Sequence, residues 1–484
     1  MTSPKLPGSF RRLLSAKETS ALMRVMDAYP MPSVGMGIDS VAQQLYDGMN
    51  HADNVPSELY ELYDVKRGLR NADGSGVLVG LTTVSSVHGY NKVDGVVTPD
   101  EGRLTLRGYD MADLVSGAQK EGRFGYEEVA YLLIAGKLPT PVQLDDFRAR
   151  VGSRRQLPEG YLSIFPRMTY SPSIMNVLQR ATLLLYAFDP TPDDTRPVHE
   201  VDVALSLLGR WPRVASVAHA AYAADQNDDR LVVPPAREEY SVAESILDVL
   251  RGDEGFTRDE ALLLDVMLML HAEHGGGNNS TFTTRVLSSS GTDAYSAYAA
   301  ALGSLKGPKH GGANYKAGEM INDIAEHVEH WDSDDELCSY LERILQRDAF
   351  DHTGLIYGLG HAVYTVTDPR AEIVKRYAAK LAADKGQDAK LELIKSVERL
   401  GPQVMRDVRG ITKPISTNID MYTGFVYEML GIQQDLFTPI FAIARMAGWA
   451  AHRMEELYGP ARIIRPAYNS VMRPHSYVPI DERK

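Results

Sequence analysis

The stretch that decides the fold is residues 307–314, GPKHGGAN, in which His310 lies between a proline turn and two glycines. The small residues 299–304 precede it and are typical of a tightly packed helix that ends at Gly307 and Pro308, and another helical stretch follows. This order predicts that His310 lies near a helix N-terminus, where the positive dipole favours a neutral imidazole. A turn histidine that caps a helix is the alternative for this motif taken alone.

Composition limits the classes of function. The chain has 484 residues and 44% hydrophobic content, enough for a large buried core with a smaller domain beside it. Its formal net charge of -13 argues against a nucleic-acid partner or an anionic membrane partner, since both need clustered Lys and Arg. No apolar run approaches the roughly 20 residues of a membrane span. A globular, mainly apolar-cored protein is expected.

The compartment is inferred from the single cysteine and from the N-terminus. Cys338 alone excludes an internal disulfide framework and a cysteine-based zinc site, which indicates a reducing compartment. Residues 1–17 carry Lys and Arg without an acid and faintly resemble an organelle transit peptide, but Glu18 and Asp27 follow soon after. A cytoplasmic protein is therefore expected, with the mitochondrial matrix as the alternative.

Apolar periodicity predicts a mainly α architecture with a minor β element near the N-terminus. Residues 77–84 form a β-branched run suited to a strand, and residues 91–106 continue with short extended pieces. Helices are predicted over 127–135, ending at Gly136, and over 141–151, ending at Gly152, and nearly all of the last third is helical. The predicted domains are an N-terminal extension (1–60), a large helical domain (61–314 and 431–484) and a small helical domain (315–430).

The first histidine pair, His271 and His274, ends an apolar helix and is followed by three glycines. Histidines three residues apart share a helix face, so a metal pair is conceivable, but hydrogen-bonding histidines at a helix end are favoured because nothing nearby completes a zinc site. The glycine run also suits the oxyanion loop of some esterases. The chain has no G-x-S-x-G nucleophile elbow, so a serine hydrolase is not expected.

Three further polar positions suggest chemistry. His361 lies in a glycine turn that precedes Asp368-Pro369-Arg370, where Asp368 as N-cap and Pro369 at the first helical position predict a helix start. Asp420 begins another predicted helix, and taken alone it suits a cap better than a base. Arg445 lies in an apolar helix and needs a partner, for which a structural salt bridge is the alternative to a ligand.

Taken in order, these motifs resemble the citrate synthase family. The matching segments are 271–282 (HAEHGGGNNSTF), 307–314 (GPKHGGAN), 358–364 (GLGHAVY), 368–370 (DPR) and 418–420 (NID) with Gly424. RGYD at 107–110 and the helix that ends in GKLP at 136–139 are similar to the same family, so the likeness covers roughly residues 64–466. The implied fold is a two-domain helical enzyme with a large and a small domain.

The resemblance also implies residue roles. The implied catalytic residues are His310, His361 and Asp420, and the implied oxaloacetate-binding residues are His274, Arg370, Arg445 and Arg465. Arg465 is expected to reach the site of a neighbouring subunit, which implies a homodimer or a higher oligomer. Coenzyme A contacts are implied for Lys413, Gly358 and Lys309.

The implied reaction joins acetyl-CoA, oxaloacetate and water to give citrate and coenzyme A, without a metal or a redox cofactor. A 2-methylcitrate synthase that uses propionyl-CoA is an alternative, as is a non-catalytic homologue that acts as an assembly subunit. A citrate lyase or ligase module would need an ATP-grasp or phosphohistidine domain that this sequence does not show. Thr365 and residues 171–173 (SPS) depart from the family, which often has Lys or Arg at the first position and His-Pro-Met at the second.

Overall fold

The computed structural model describes residues 40–52, 55–71, 74–93, 96–161, 173–226, 235–460, 462–472 and 474–483. The chain divides into two compact units: residues 1–19 with 82–462, and residues 20–81 with 463–484. In the part of the chain that the structure describes, no helix is long and apolar enough to cross a membrane.

The predicted mainly α architecture is confirmed, with seventeen α-helices in the described residues. In chain order they are α1 (Ser40–Ala52), α2 (Ser57–Leu62), α3 (Met111–Lys120), α4 (Tyr126–Ala135), α5 (Pro141–Ser153), α6 (Ile174–Leu185), α7 (Pro197–Gln226), α8 (Val242–Arg251), α9 (Arg258–His271), α10 (Asn279–Ser288), α11 (Ala294–Leu305), α12 (Ala313–His327), α13 (Asp334–Gln346), α14 (Pro369–Lys385), α15 (Asp388–Arg409), α16 (Asp420–Met429) and α17 (Phe437–Tyr458).

A small antiparallel sheet consists of β1 (Ser85–Val93), β2 (Val96–Leu106) and β3 (Tyr109–Asp110), in that spatial order. The strand predicted over 77–84 is wrong, because β1 begins at Ser85 and residues 77–81 pair with no strand of the described chain. Leu78 and Leu81 are 85% and 89% exposed. β-branched residues favour a strand only where a neighbouring strand and a packed face support it, and neither is present there.

Glycines end or pack the helices at two predicted positions. Gly136 ends α4 in the left-handed conformation with φ +77°, as predicted. The prediction that Gly152 ends α5 is wrong, because the helix continues to Ser153. A Cβ at Gly152 would lie 2.0 Å from the backbone oxygen of Glu238, so this glycine permits close packing rather than a helix end.

Helix α17 is the centre of the core. Seventeen consecutive residues, from Phe437 to Arg453, are buried, and the helix packs against α4, α7, α9 and α10. A helix that is buried all round needs apolar partners on every side. Any polar side chain between residues 437 and 453, such as Arg445, therefore lies in a dry interior and must be satisfied there.

Helices between residues 313 and 429 pack mainly on one another: α12 and α14 contact α16, and α13 and α14 contact α15. The predicted boundaries of the large and small helical domains stay a prediction. In the second unit, α1 and α2 precede an irregular stretch, and after residue 463 the described chain is irregular apart from one short 3₁₀ turn, Ile480–Glu482. Most of the predicted N-terminal extension, residues 1–39 with 53 and 54, lies outside the described residues.

Candidate active site

Two segments that are distant in sequence pair beside the predicted catalytic residues. The N–H of Asn418 donates to the backbone oxygen of Gly358 at 2.9 Å, and Nδ2 of Asn418 donates to that of Gly360 at 2.8 Å. Both glycines have positive φ (+86° and +84°), and a Cβ at Gly358 would lie 2.9 Å from Cα of Met421. The glycines therefore let the His361 loop lie directly against the start of α16.

His361 is held in one tautomer by the backbone that follows it. Its Nδ1 accepts hydrogen bonds from the N–H groups of Val363 and Tyr364, both at 3.0 Å. A ring nitrogen that accepts two N–H groups carries no proton, so the proton of the neutral ring is on Nε2. The ring also stacks on Tyr364, with centroids 4.6 Å apart, and the His274 ring lies edge-on to it at 5.1 Å. The fold thus presents Nε2–H as a donor.

Asp420 is the first residue of α16, and its interpretation as a helix cap is wrong. The N-cap is Ile419, whose side chain makes no capping hydrogen bond. The N–H of Asp420 donates to Oδ1 of Asn418 at 3.0 Å. Burial raises the pKa of Asp420 to about 6, although the charges of Arg370 and Arg445 oppose the rise. The carboxylate is ionised at neutral pH and is a stronger base than an exposed aspartate.

His310 lies two residues before Gly312, the N-cap of α12, as predicted, and its side chain contacts the N-terminus of a second helix, α10. Its Nε2 lies 3.3 Å from the backbone N and 2.9 Å from Oγ of Ser280, the second residue of α10. The capping alternative is wrong, because α12 begins at Gly312 as N-cap without a side-chain cap. Burial, followed by the charge of Arg445, lowers the pKa of His310 to about 4. Because Nε2 accepts from a backbone N–H, the neutral ring has its proton on Nδ1.

The pair His271 and His274 consists of hydrogen-bonding histidines at a helix end. His271 is fully buried, its Nδ1 donates to the backbone oxygen of Met267 at 2.8 Å, and burial lowers its pKa to about 3. Nε2 of His274 lies 3.2 Å from the hydroxyl of Tyr364, and burial, then the charge of Arg370, holds its pKa well below the usual value. In the described residues, no group of three or more His, Cys, Asp and Glu side chains is arranged to hold a metal ion.

Arg370 is paired with the residue that caps its own helix. Asp368 is the N-cap of α14 and Pro369 is its first residue, as predicted. The Asp368 carboxylate also accepts Nε and Nη2 of Arg370 at 3.0 and 2.8 Å, with both side chains almost fully buried. Burial would lower the pKa of Arg370, but the charges and hydrogen bonds of its neighbours, Asp368 foremost, together outweigh burial and raise the pKa. Nη1 of Arg370 has no hydrogen-bond partner among the described residues.

Among the described residues, Arg445 makes no salt bridge, which was the alternative predicted for it. Its Nε donates to the backbone oxygen of His271 at 2.8 Å, and its guanidinium lies 4.7 Å from the ring centroid of Phe441. No carboxylate of the described chain lies within ion-pair distance. Burial lowers its pKa to about 10, and the more distant charge of Glu273 opposes that fall. An arginine this buried, with so little compensation, is suited to an anionic ligand.

Three of the predicted site residues, His310, His274 and Asp420, lie close enough to Arg445 for its charge to act on them. Its charge contributes to the lowered pKa of His310 and of His274, and it opposes the rise of the Asp420 pKa. One guanidinium therefore acts on three side chains that come from three separate motifs. The loop of Gly358 and Gly360, which pairs with Asn418, brings His361 to this cluster. There the His361 ring lies edge-on to that of His274.

Sequence analysis missed a buried network behind the site. Oε1 of Glu273 accepts from Nε2 of His452 at 2.9 Å, from Oγ of Ser85 at 2.8 Å and from the N–H of Gly275 at 2.6 Å. Arg285 lies 2.7 Å from Nδ1 of His452, which fixes that ring's proton on Nε2. Burial alone would raise the pKa of Glu273, but these partners, His452 first, lower it to about 2. The sequence signal for this network was Glu273, which lies between His271 and His274.

The three residues implied to contact coenzyme A differ in their exposure. Lys309 and Lys413 are exposed, and Gly358 is packed against the start of α16. The hydroxyl of Thr365, which stands where relatives often have Lys or Arg, donates to the backbone oxygen of Gly89 in β1. Thr365 therefore anchors the loop to the sheet. The coenzyme A roles stay predictions.

Arg465 belongs to the second compact unit, where it is exposed in an irregular segment. Its predicted role in a neighbouring subunit stays a prediction. Of the SPS departure, positions 171 and 172 lie outside the described residues, and Ser173 is the N-cap of α6, where it accepts from the N–H of Asn176. Ser173 therefore has a structural role as a helix cap.

Comparison with known proteins defines the class. Residues 72–467 match the family described as "Citrate synthase, C-terminal domain". Citrate synthase of Haloferax volcanii is 34% identical over 424 residues, which cover 87% of this chain and 99% of that protein. 2-Methylcitrate synthase of Shewanella oneidensis is 32% identical over 381 residues, which cover 78% of this chain and 92% of that protein.

Comparison with solved structures indicates the same class of protein. A ternary complex of Thermoplasma acidophilum citrate synthase with carboxymethyl coenzyme A and oxaloacetate has a TM-score of 0.69 and 26% identity, covering 87% of this chain and 99% of that chain. Citrate synthase of Thermotoga maritima has a TM-score of 0.67 at the same identity and covers 87% of this chain and 99% of that chain. The protein is a mainly helical enzyme of this fold. It belongs to the citrate synthase family, and the resemblance of its motifs is confirmed.

Proposed function

We propose that this protein condenses acetyl-CoA with oxaloacetate and water, giving citrate and coenzyme A. The observation that carries the proposal is the cluster around Arg445, which combines a carboxylate of raised pKa with two neutral histidines. The curated relatives named citrate synthase support the same reaction. This chemistry is the entry reaction of the tricarboxylic acid cycle.

Asp420 is the general base. The methyl group beside a thioester is a weak acid, so the base must have a pKa near the working pH and the product enolate must be stabilised. Burial supplies the first requirement, because it raises the pKa of Asp420 to about 6. The carboxylate takes a methyl proton, and the C–H electron pair becomes the enolate.

His310 is the donor to the enolate oxygen. The N–H of Ser280 occupies its Nε2, so Nδ1–H of the neutral ring points away to a ligand oxygen. A preorganised neutral donor stabilises the developing oxyanion without reorganisation. The lowered pKa of His310, about 4, keeps the ring neutral over the whole working range of Asp420.

His361 activates the ketone of the second substrate. Its Nδ1 is held by two backbone N–H groups, so Nε2–H donates to the ketone oxygen, and the enolate carbon attacks the ketone carbon. Arg445 and Nη1 of Arg370 hold the two carboxylates of oxaloacetate, with His274 beside them. Water then cleaves the thioester, which releases citrate and the thiol of coenzyme A.

A 2-methylcitrate synthase is the second candidate, because relatives with that name are 32% identical to this chain. Both reactions use the same base, donor and keto-acid contacts, and they differ only in the methyl or methylene group that is deprotonated. The non-catalytic alternative is disfavoured, because the raised pKa of Asp420 suits a general base and the lowered pKa of His310 suits a neutral donor.

The test is release of free thiol from acetyl-CoA that depends on oxaloacetate, followed by competition between acetyl-CoA and propionyl-CoA at equal concentration. The proposal expects turnover with oxaloacetate and preference for acetyl-CoA. Preference for propionyl-CoA would select the second candidate. No thiol release with either substrate would select the non-catalytic homologue.

The proposal includes a cytoplasmic homodimer that needs no metal or redox cofactor, because the coenzyme A thioester is a substrate. The lone cysteine, Cys338, supports a reducing compartment. Arg465, in the C-terminal segment, is the residue proposed to complete the site of a second copy. Chelation with EDTA should leave the rate unchanged, and loss of turnover would overturn the metal-free proposal.

A further inference from the structure

Tyr364 contacts three of the proposed site residues with one side chain. Its ring stacks on His361 with centroids 4.6 Å apart and an interplanar angle of 24°. Its hydroxyl lies 3.2 Å from Nε2 of His274, and the guanidinium carbon of Arg370 lies 5.7 Å from the ring centroid. Tyr364 is 1% exposed, so these contacts are made in the dry interior.

The backbone of Tyr364 is also fixed on two sides. Its N–H donates to Nδ1 of His361 at 3.0 Å, and its oxygen accepts from Oγ of Ser416, in the segment that leads to α16, at 3.1 Å. On the sheet side, a Cβ at Gly89 would lie 2.8 Å from Cα of Tyr364, and one at Gly102 would lie 2.9 Å from Cδ1 of its ring. Strands β1 and β2 therefore pack directly on this residue.

We propose that Tyr364 is a positioning residue for the keto acid, with its hydroxyl orienting His274 and its ring orienting His361. This inference rests on the proposed function. The hydroxyl and the ring make separable contributions, because the hydroxyl contacts only the side chain proposed to bind a carboxylate. The ring supports the side chain proposed to activate the ketone.

The hydrogen bond joins two neutral groups. Burial raises the pKa of Tyr364, so its phenol keeps its proton, and burial likewise holds His274 neutral. The charged groups that act on this pair are Arg370, Arg445, Asp368 and Asp110. Loss of the hydroxyl therefore removes one neutral hydrogen bond and leaves the charge of the site unchanged.

The test compares two substitutions of Tyr364. Tyr364→Phe keeps the ring and removes the hydroxyl, so the KM for oxaloacetate should rise by about 2- to 10-fold while kcat stays near the wild-type value. Tyr364→Leu removes the stacking face as well, so kcat should fall by about 10- to 100-fold, since a small displacement of a reacting group has an effect of this size. Phenylalanine should thus restore kcat but not KM.

Tyr161→Phe is the matched control. Tyr161 is fully buried and its hydroxyl donates to the backbone oxygen of Ala181 at 3.0 Å, away from the proposed site. Its substitution should lower thermal stability as much as Tyr364→Phe does and leave KM and kcat unchanged. A wild-type KM in Tyr364→Phe would overturn the inference, as would equal loss of kcat in the Phe and Leu variants.

Different results would overturn the proposed function and the proposed role of Tyr364. If the wild-type protein releases no thiol from acetyl-CoA and oxaloacetate, the proposed function fails and the inference fails with it. If the wild type is active but Tyr364→Phe behaves like wild type, only the inference is overturned. Should Tyr364→Leu not fold, the Phe variant and its control still decide the role of the hydroxyl.

Discussion

The backbone N–H of Ser280 lies 3.3 Å from Nε2 of His310, a residue 30 positions further along the chain. This contact fixes the ring proton on Nδ1, and the N-terminus of α10 disfavours an imidazolium at the same place. The donor is a backbone group, so its effect does not depend on the serine side chain. The relationship explains how a histidine at this position stays neutral and still donates a hydrogen bond.

Replacement of His310 by alanine should lower kcat by about 10²- to 10³-fold, because it removes one preorganised donor to the enolate. Steady-state thiol release checks the rate, and circular dichroism checks that the variant is folded. Ser280→Ala is the matched control, since it keeps the backbone N–H and should lower kcat by less than about 10-fold. Near-wild-type turnover in His310→Ala would contradict its assignment as the enolate donor.

The rate should rise with pH through about 6, because Asp420 must be ionised to act as a base and its pKa is raised to about 6. Below that pH the carboxylate is protonated and log(kcat/KM) should fall by about one per pH unit. His310, with a pKa of about 4, contributes no limb in this range. An acid limb near pH 4 instead would contradict the raised pKa of Asp420.

Asp420→Asn should abolish turnover and stabilise the folded protein at neutral pH. The folded-state pKa of about 6 lies above the unfolded value of 3.8, so the charged carboxylate is disfavoured in the folded protein. The asparagine variant should therefore gain about 1–3 kcal/mol relative to wild type above pH 6. The gain should shrink as the pH falls and vanish below pH 4, as urea unfolding at several pH values can check. If the asparagine variant and the wild type differ in unfolding free energy by the same amount at every pH, or if the variant is less stable, this linkage is refuted.

Arg370→Leu and Arg445→Leu should both raise the KM for oxaloacetate by about 10- to 100-fold, because each loses a charged hydrogen-bond donor to the substrate. Their stabilities should differ. Arg370→Leu leaves the Asp368 carboxylate buried without its partner, which costs about 3–5 kcal/mol, whereas Arg445 has no ion pair to break. Thermal unfolding measures the difference, and an unchanged KM in either variant removes that arginine from the site.

Mixed subunits test the proposed role of Arg465. Arg465→Leu and His310→Ala should each be nearly inactive alone. If Arg465 completes the site of a second copy, a hybrid dimer contains one intact site, and an equal mixture refolded together should recover about a quarter of the wild-type rate. Separately refolded proteins mixed afterwards are the control. No recovery after joint refolding would mean that Arg465 acts within its own subunit, and wild-type turnover of Arg465→Leu alone would mean that Arg465 has no role in the site.

Sequence reasoning located the polar residues of the site because their motifs are local. A few neighbouring residues are enough to predict the glycine turns around His310 and His361. The same is true of the helix start at Asp368-Pro369. The same reasoning was wrong where a contact partner decides the structure. Residues 77–84 have strand propensity but no partner strand, and Gly152 is small because the backbone of Glu238 approaches it.

The sequence by itself determined the mainly helical architecture, the family and the candidates His310, His361 and Asp420, because periodicity, turn chemistry and motif order are properties of short segments. Only the tertiary structure decided their chemical states. The proton on His310 depends on Ser280, the orientation of His274 on Tyr364, and the pKa of Asp420 on its burial. Hydrogen bonding and desolvation act between groups that only folding brings together, and so no local pattern encodes them.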